Sequence, residues 1–257
     1  MPQLQNKLAL IVGAGREPGR GIARRFAREG AQLLLIDRDA AAGDALAREL
    51  DAPFFHADPS DKNALLAAIT QATAGAGRLD ILVNAAMEEP QWTRLEELPD
   101  SAFEQGFAQG FYSALWAMRA LQPLMRANGG GRIVNLGSVY GENVAEYIGA
   151  YSAAAEALRA LTRTAAQEWG ADNILVNVLM PTVDDERFRA YHEQHSEHVD
   201  TTLPLVALQR FGDPVEDIGG AAVYLVSDDS RYLTGYTIHA DGGYHMAGPV
   251  YVPVMEV

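Results

Sequence analysis

Cysteine is absent from the 257 residues, which excludes disulfides and thiolate-held metals. Lysine is nearly absent: Lys7 and Lys62 are the only two, and the rest of the 20 Lys and Arg residues are arginine. Positive charge is outweighed overall. The net charge of −14 argues against nucleic acid and anionic membranes as partners. No apolar run reaches the roughly 18 residues that a membrane-spanning helix needs. The opening Met1-Pro2-Gln3-Leu4-Gln5-Asn6-Lys7 lacks the order of a secretory leader, so the expectation is a soluble, cytoplasmic protein. No metal is expected either. His192, His195 and His198, with Glu193 and Glu197, fit one helical face only loosely and read as a solvated acidic flap.

What is present is an apolar, alternating chain. At 48% hydrophobic residues it can bury a large core, and its length suits one α/β domain over 1–257. Lys7–Val12 reads as a buried strand, followed by a glycine-rich turn and a helix over Ile22–Glu29. Leu33–Asp37 is the next strand, Ala40–Leu50 a helix, and Phe54–Asp58 a short strand. Lys62–Ala74 reads as a helix, Asp80–Asn84 as a strand, and Pro99–Arg126 as one long amphipathic helix. In the latter, Phe103, Phe107, Phe111, Leu115 and Met118 recur at helical spacing, as core or as a subunit contact. A strand ending at Ser138, a helix from Tyr151, a strand over Ile174–Leu179, a helix over Asp217–Ser227 and a strand over Tyr236–Ala240 complete the pattern. The polar stretch 182–204 suggests a flap, and 244–257 forms an apolar C-terminal extension. Strands alternating with helices imply a Rossmann-type doubly wound, mostly parallel sheet of seven strands with helices on both faces.

Two side chains stand out for chemistry. Ser138 ends an apolar strand, and Tyr151 opens an Ala-rich helix thirteen residues later, with Ala155 one turn further on the same face. Ser, thirteen residues, Tyr, three residues and Lys is the signature of the short-chain dehydrogenase/reductases, and the chain resembles that superfamily over nearly its whole length. Gly13, Gly15 and Gly19 lie in the stretch that resembles its coenzyme turn. Asp37 resembles the acid that selects NAD over NADP by binding a ribose hydroxyl, and Asp58 the residue near the adenine. Asn84 resembles the first asparagine of Asn-Asn-Ala-Gly, and Pro181 the proline of Pro-Gly. Leu208 to Pro214, Leu233-Thr-Gly235 and Asp241-Gly-Gly243 match the C-terminal family elements. The resemblance implies NAD(H) as cofactor, a small alcohol or ketone as substrate, Ser138 and Tyr151 as catalytic groups, and a homotetramer or homodimer.

The departures concentrate at the site. Ala155 replaces the lysine, Gly110 the asparagine of the long helix, and Val12 the threonine before the turn. Glu17 and Pro18 replace a glycine and its neighbour, adding a negative charge and removing an N–H donor where a pyrophosphate would lie. Asn84 is followed by Ala85-Ala86-Met87, and Pro181 by Thr182. In the family the lysine lowers the tyrosine pKa. A free phenol ionises at about pH 10, so a base at about pH 7 needs roughly 4 kcal/mol of differential stabilisation. Arg159 lies about 12 Å along the helix from Tyr151, too far for an easy substitute. As an acid toward a carbonyl, Tyr151 functions while neutral. Three readings follow: an NAD(H)-linked oxidoreductase with atypical catalysis; a non-redox enzyme using Tyr151 and Ser138 for elimination, cyclisation or isomerisation; and a non-catalytic subunit that forms a heteromer with an active relative. Tyr140, Glu142, Glu146 and Tyr147 read as ordinary loop residues beside the expected pocket.

Overall fold

The computed structural model describes residues 2–87, 90–143, 146–186, 189, 190, 193 and 202–247. Seven parallel strands form one sheet in the order β3-β2-β1-β4-β5-β6-β7. They are β1 (Leu8–Val12), β2 (Gln32–Asp37), β3 (Phe54–His56), β4 (Ile81–Asn84), β5 (Gly131–Leu136), β6 (Ile174–Pro181) and β7 (Thr237–Ala240). The central strands are apolar almost throughout because helices cover both faces. One core lies under α1 (Gly19–Arg28) and α8 (Gly219–Val226), around Ile11, Ile22, Phe26, Val134 and Val223. The other lies under α3 (Lys62–Thr73), α5 (Ser113–Ala127) and α7 (Gly149–Trp169), around Leu10, Leu65, Leu82, Met118 and Val176. The strand order reverses between β1 and β4, and the crevice at such a switch point is where open α/β sheets hold ligands.

Local chemistry explains the boundaries. α2 (Ala40–Leu50) has the expected limits because the Asp39 carboxylate caps it through Ala42 N–H and Asp51 closes it at φ 49°. Asp61 caps α3 through the N–H groups of Asn63 and Ala64. The one long helix expected over 99–126 is interrupted. α4 (Asp100–Phe107) passes through a π-helical turn, Ala108–Tyr112, into α5. Glycines let α4 lie close against α7: a Cβ on Gly106 would stand 3.4 Å from Ala150 O, and one on Gly110 3.4 Å from Ala154 Cβ. That closeness turns Ala102, Gly106, Gly110, Ala114 and Ala117 inward. Phe103, Phe107, Phe111 and Leu115 are left half-buried, and only Met118 of that stripe reaches the core. The helix expected over 217–227 likewise begins as a π turn, Pro214–Ile218, ahead of α8. His192, His195 and His198, most of the 182–204 flap and the extension beyond Ala247 lie outside the described residues.

Candidate active site

The β1–α1 turn is held by backbone crowding. Gly13 has φ +89°, and a Cβ there would stand 2.6 Å from Ala86 N. A Cβ on Gly19 would stand 2.1 Å from Gly13 O, and one on Gly15 2.8 Å from Asp37 Cγ. Backbone atoms therefore require glycine at 13 and 19, while at 15 the close neighbour is the Asp37 carboxyl group. Gly13 and Ala14 donate their N–H groups to Ile36 O, at 2.9 and 3.2 Å. Asp37 is buried at the end of β2 and accepts from Gly15 N at 2.8 Å and from Asp39 N at 2.8 Å. Its two oxygens retain lone pairs for further donors. Asp58 accepts from Ser60 N and Ser60 Oγ and organises the turn after β3.

α1 has no side-chain cap at Pro18. Its first-turn donors are instead answered from within: Arg20 N by Arg16 O, Ile22 N by Pro18 O, and Gly21 N by the Glu17 carboxylate at 2.7 Å. The Ile22 bond is the first of the helix's own ladder; of the donors before it, the N–H groups of Gly19, Arg20 and Gly21, two are thus engaged. The Glu17 side chain is 8% exposed and also accepts from Arg20 Nε at 2.9 Å, with Arg24 at 3.6 Å. Arg20 reaches on to Glu186, beyond β6, at 2.8 Å. Burial works against the charge of Arg20, but Glu17 and Glu186 outweigh it and hold its pKa above the ordinary arginine value. A nicotinamide dinucleotide meets mixed terms here. Asp37 and Asp58 are the residues that could hold its adenosine end; at the diphosphate end the Glu17 carboxylate stands in the turn and would have to give way.

Ser138 is buried beyond β5 and caps the short helix α6 (Val139–Glu142), its Oγ accepting from Tyr140 N at 3.3 Å. α6 is joined to the first turn of α7 by Ser152 Oγ, which donates to Tyr140 O at 3.0 Å. Tyr151 stands next to that contact. Its hydroxyl lies 3.9 Å from the sulfur of Met87, on the segment that follows β4. A narrow crevice beside it is lined by Gln91, Gly106, Gly110, Ala150 and Ala154. Ala155 is buried. Ser138 and Tyr151 are thus brought to the carboxyl edge of β4 and β5, while Pro181 ends the neighbouring β6.

The family model described as Enoyl-(Acyl carrier protein) reductase matches residues 13–245. The chain is 37% identical over 247 residues to galactitol 2-dehydrogenase (L-tagatose-forming) of Cereibacter sphaeroides, covering 94% of this chain and 96% of that protein. The chain belongs to the short-chain dehydrogenase/reductase superfamily. It is also 33% identical to a 12alpha-hydroxysteroid dehydrogenase of a Clostridium species, over 92% of this chain and 96% of that protein. Among solved structures, a 7alpha-hydroxysteroid dehydrogenase complexed with NADH and 7-oxo glycochenodeoxycholic acid superposes with a TM-score of 0.86 at 28% identity, covering 94% of this chain and 95% of that one.

Within this dehydrogenase/reductase frame, two polar groupings escaped the sequence reading. Asn84 Nδ2 donates to Asn135 Oδ1 at 2.7 Å, Asn135 Nδ2 to Thr162 Oγ1 at 2.9 Å, and Thr162 Oγ1 to Leu158 O at 2.9 Å. This buried chain ties β4 and β5 to α7, two turns from Ala155 on the same helix face, and Asn84 Oδ1 has no hydrogen-bond partner among the described residues. An asparagine inside the apolar run Ile133-Val134-Asn135-Leu136 was the available signal. The second grouping joins residues far apart in sequence. Glu142 accepts from Arg159 at 2.7 Å and contacts His239 Nε2 at 2.7 Å; His239 stacks on His245 at 4.2 Å; His245 Nδ1 lies 2.8 Å from the buried Asp241. Arg159, weighed as a substitute for the lysine, is committed to Glu156 and Glu142. The Tyr244 phenol is pushed up by burial, partly offset by its hydrogen bond with Tyr140. Among the described residues, no group of three or more His, Asp or Glu is arranged to hold a metal, and no helix is long and apolar enough to cross a membrane.

Proposed function

We propose that this member of the superfamily is an NAD(H)-linked oxidoreductase of a small alcohol or ketone, acting chiefly as a carbonyl reductase. The observation that supports the reading is the Ser152–Tyr140 hydrogen bond, which ties the helix that Ser138 caps to the first turn of α7, where Tyr151 stands beside Met87. A nicotinamide ring supplies or accepts hydride in this chemistry. The chain's own residues handle the oxygen and the proton. Ser138 Oγ donates a hydrogen bond to the carbonyl oxygen, and Tyr151 delivers a proton to that oxygen as negative charge develops. Alcohol oxidation would run the same proton transfer backwards and needs the phenolate as base. With alanine at 155 and glycine at 110, that direction loses the help the family's lysine and asparagine give. Reduction, which starts from the neutral phenol, loses less. The proposal includes NAD rather than NADP, on the strength of Asp37, and a cytoplasmic homotetramer or homodimer.

NADH oxidation with L-tagatose and with 7-oxo glycochenodeoxycholic acid tests the reading on a compact polyol-type ketone and a bulky steroid ketone. Turnover with either is expected, and Tyr151→Phe is expected to lower kcat by about a hundredfold or more with the fold intact. An unchanged rate in that variant removes Tyr151 from the mechanism.

The second reading is non-redox chemistry on the same Ser/Tyr pair. It is favoured by one observation, the Glu17 carboxylate on the Gly21 N–H. It expects turnover that needs no nicotinamide and still falls in Tyr151→Phe.

A further inference from the structure

We infer that Glu17 is an internal occupant of the diphosphate position, and that a dinucleotide binds this chain only by displacing it. The inference rests on the NAD(H) reading above and concerns how that cofactor gains entry. A helix N-terminus attracts anions because its first N–H groups lack partners and the helix dipole points its positive end there. In α1 two of those donors, the Arg20 and Gly21 N–H groups, are already spent on the chain itself. The Gly21 N–H donates to Glu17 Oε2 at 2.7 Å, Arg20 Nε to Glu17 Oε1 at 2.9 Å, and the backbone oxygen of Arg16 takes the Arg20 N–H. Pro18 has no N–H to offer. The carboxylate is 8% exposed, so it is seated in the turn and not merely near it.

Its counter-ion strengthens the argument. Arg20 is shared between Glu17 and Glu186, and Glu186 belongs to the segment that leaves β6. That segment is also held by Val183, which bridges to Gly212, and by Asp184 N, which donates to Gly212 O. A single guanidinium therefore links the phosphate turn to the strand end on the other side of the switch point. A diphosphate arriving at α1 competes with Glu17 for the Gly21 N–H and with both glutamates for Arg20. Its apparent affinity is reduced by the fraction of molecules in which Glu17 is seated. Ligands or fragments without a diphosphate escape this competition.

The experiment measures NADH binding by nicotinamide fluorescence and adenosine binding by calorimetry, on the wild type, Glu17→Gln and Glu17→Gly. Glu17→Gln keeps an acceptor for the Gly21 N–H and removes the charge, and it guards against a glycine variant that folds poorly. The expected result is NADH affinity rising from wild type through Glu17→Gln to Glu17→Gly, by roughly tenfold overall, the size of a charge effect at a partly buried helix terminus. Adenosine affinity is expected to stay the same in all three. Equal, measurable NADH binding by all three proteins overturns the inference and leaves the NAD(H) reading standing. A gain that appears equally for adenosine also overturns it. No NADH binding to any of the three at millimolar cofactor overturns the NAD(H) reading and the inference with it.

Discussion

The β1–α1 turn and the α4–α7 seam both depart from the superfamily pattern, and they do so in opposite ways. The turn departs by addition. Glu17 brings a carboxylate, and the chain answers it with Gly21 N–H, Arg20 and Arg24. The seam departs by deletion. Gly110 and Ala155 present no polar side chain at positions where the resemblance implies an amide and an ammonium: Ala155 is 1% exposed, and among the described residues a narrow crevice lies by Tyr151. An added charge inside a fold must be matched by donors and counter-ions, or it is expelled. A deleted side chain between helices needs only closer approach, which small residues allow. The comparison separates two kinds of functional change. In the proposed reading the turn has exchanged one anion for another of its own, whereas the seam has given up polar groups without giving up packing.

The sharpest way to break the comparison is a single methyl group placed in each region. In Gly19→Ala the new Cβ would stand 2.1 Å from Gly13 O and 3.0 Å from Ala85 Cβ, both held by the sheet. The turn has to open, and a loss of about 3 kcal/mol or more in unfolding free energy is expected. In Gly110→Ala the new Cβ meets Ala154 Cβ at 3.4 Å and nothing else within 4 Å. A change of less than about 1 kcal/mol is expected there, since alanine also favours the helix. Urea titration of both variants checks the pair. Similar losses would show that the seam is as tightly committed as the turn.

Placing a cation at position 155 gives a smaller and more chemical effect. Ala155→Lys places an ammonium one turn after Tyr151 on its helix face. The expected gain is about tenfold in the rate of alcohol oxidation near neutral pH, because a cation beside a phenol favours phenolate. Carbonyl reduction is expected to change less. Burial of the new charge at a 1% exposed position lowers stability at the same time. Comparing the two directions at several pH values tests this. Equal acceleration of both directions would mean that the lysine acts by positioning and not through the phenol.

Much of this architecture was open to a reading of the residues alone. Period and punctuation located every strand to within two residues, because buried parallel strands are near-continuous apolar runs bounded by turn residues. The limits expected for α2 matched as well, and the structure shows the Asp39 cap and the Asp51 turn that set them. What could not be read were contacts made across the chain. The π turn at Ala108–Tyr112 depends on how closely α4 meets α7, which no local propensity encodes. The spacing that singled out Ser138 and Tyr151 carried no information on Asn135 and Thr162, which join only when β5 and α7 are packed. Glu17 was recognised as a charge in the wrong place, but its sign alone suggested repulsion. Its seat on Gly21 N–H and Arg20 is a matter of geometry, and it changes the meaning from a repelled ligand to a competed one. Glu142 and His239, 97 positions apart, meet through the ends of β5 and β7.

The smallest expected effect lies on the outer side of the turn, where the π turn Pro214–Ile218 packs against α1 so closely that a Cβ on Gly21 would stand 2.6 Å from Pro214. Asp217 in that π turn pairs with Arg210 and accepts from Asp213 N at 2.7 Å. The Arg210 hydrogen bond lowers the Asp217 pKa, against an opposing contribution from burial, and the Asp213 N–H lowers it further. A carboxylate lowered in this way contributes stability above its unfolded-state pKa of about 3.9 and loses it as pH falls through the lower folded value. Asp217→Asn should therefore weaken the fold slightly at neutral pH and flatten the decline in stability below about pH 4. The effect is a fraction of the Gly19→Ala loss, because the pair is partly solvated. Thermal melting of the two proteins between neutral and acid pH measures it. Parallel curves would mean that Asp217 supports the outer side of the turn through shape alone.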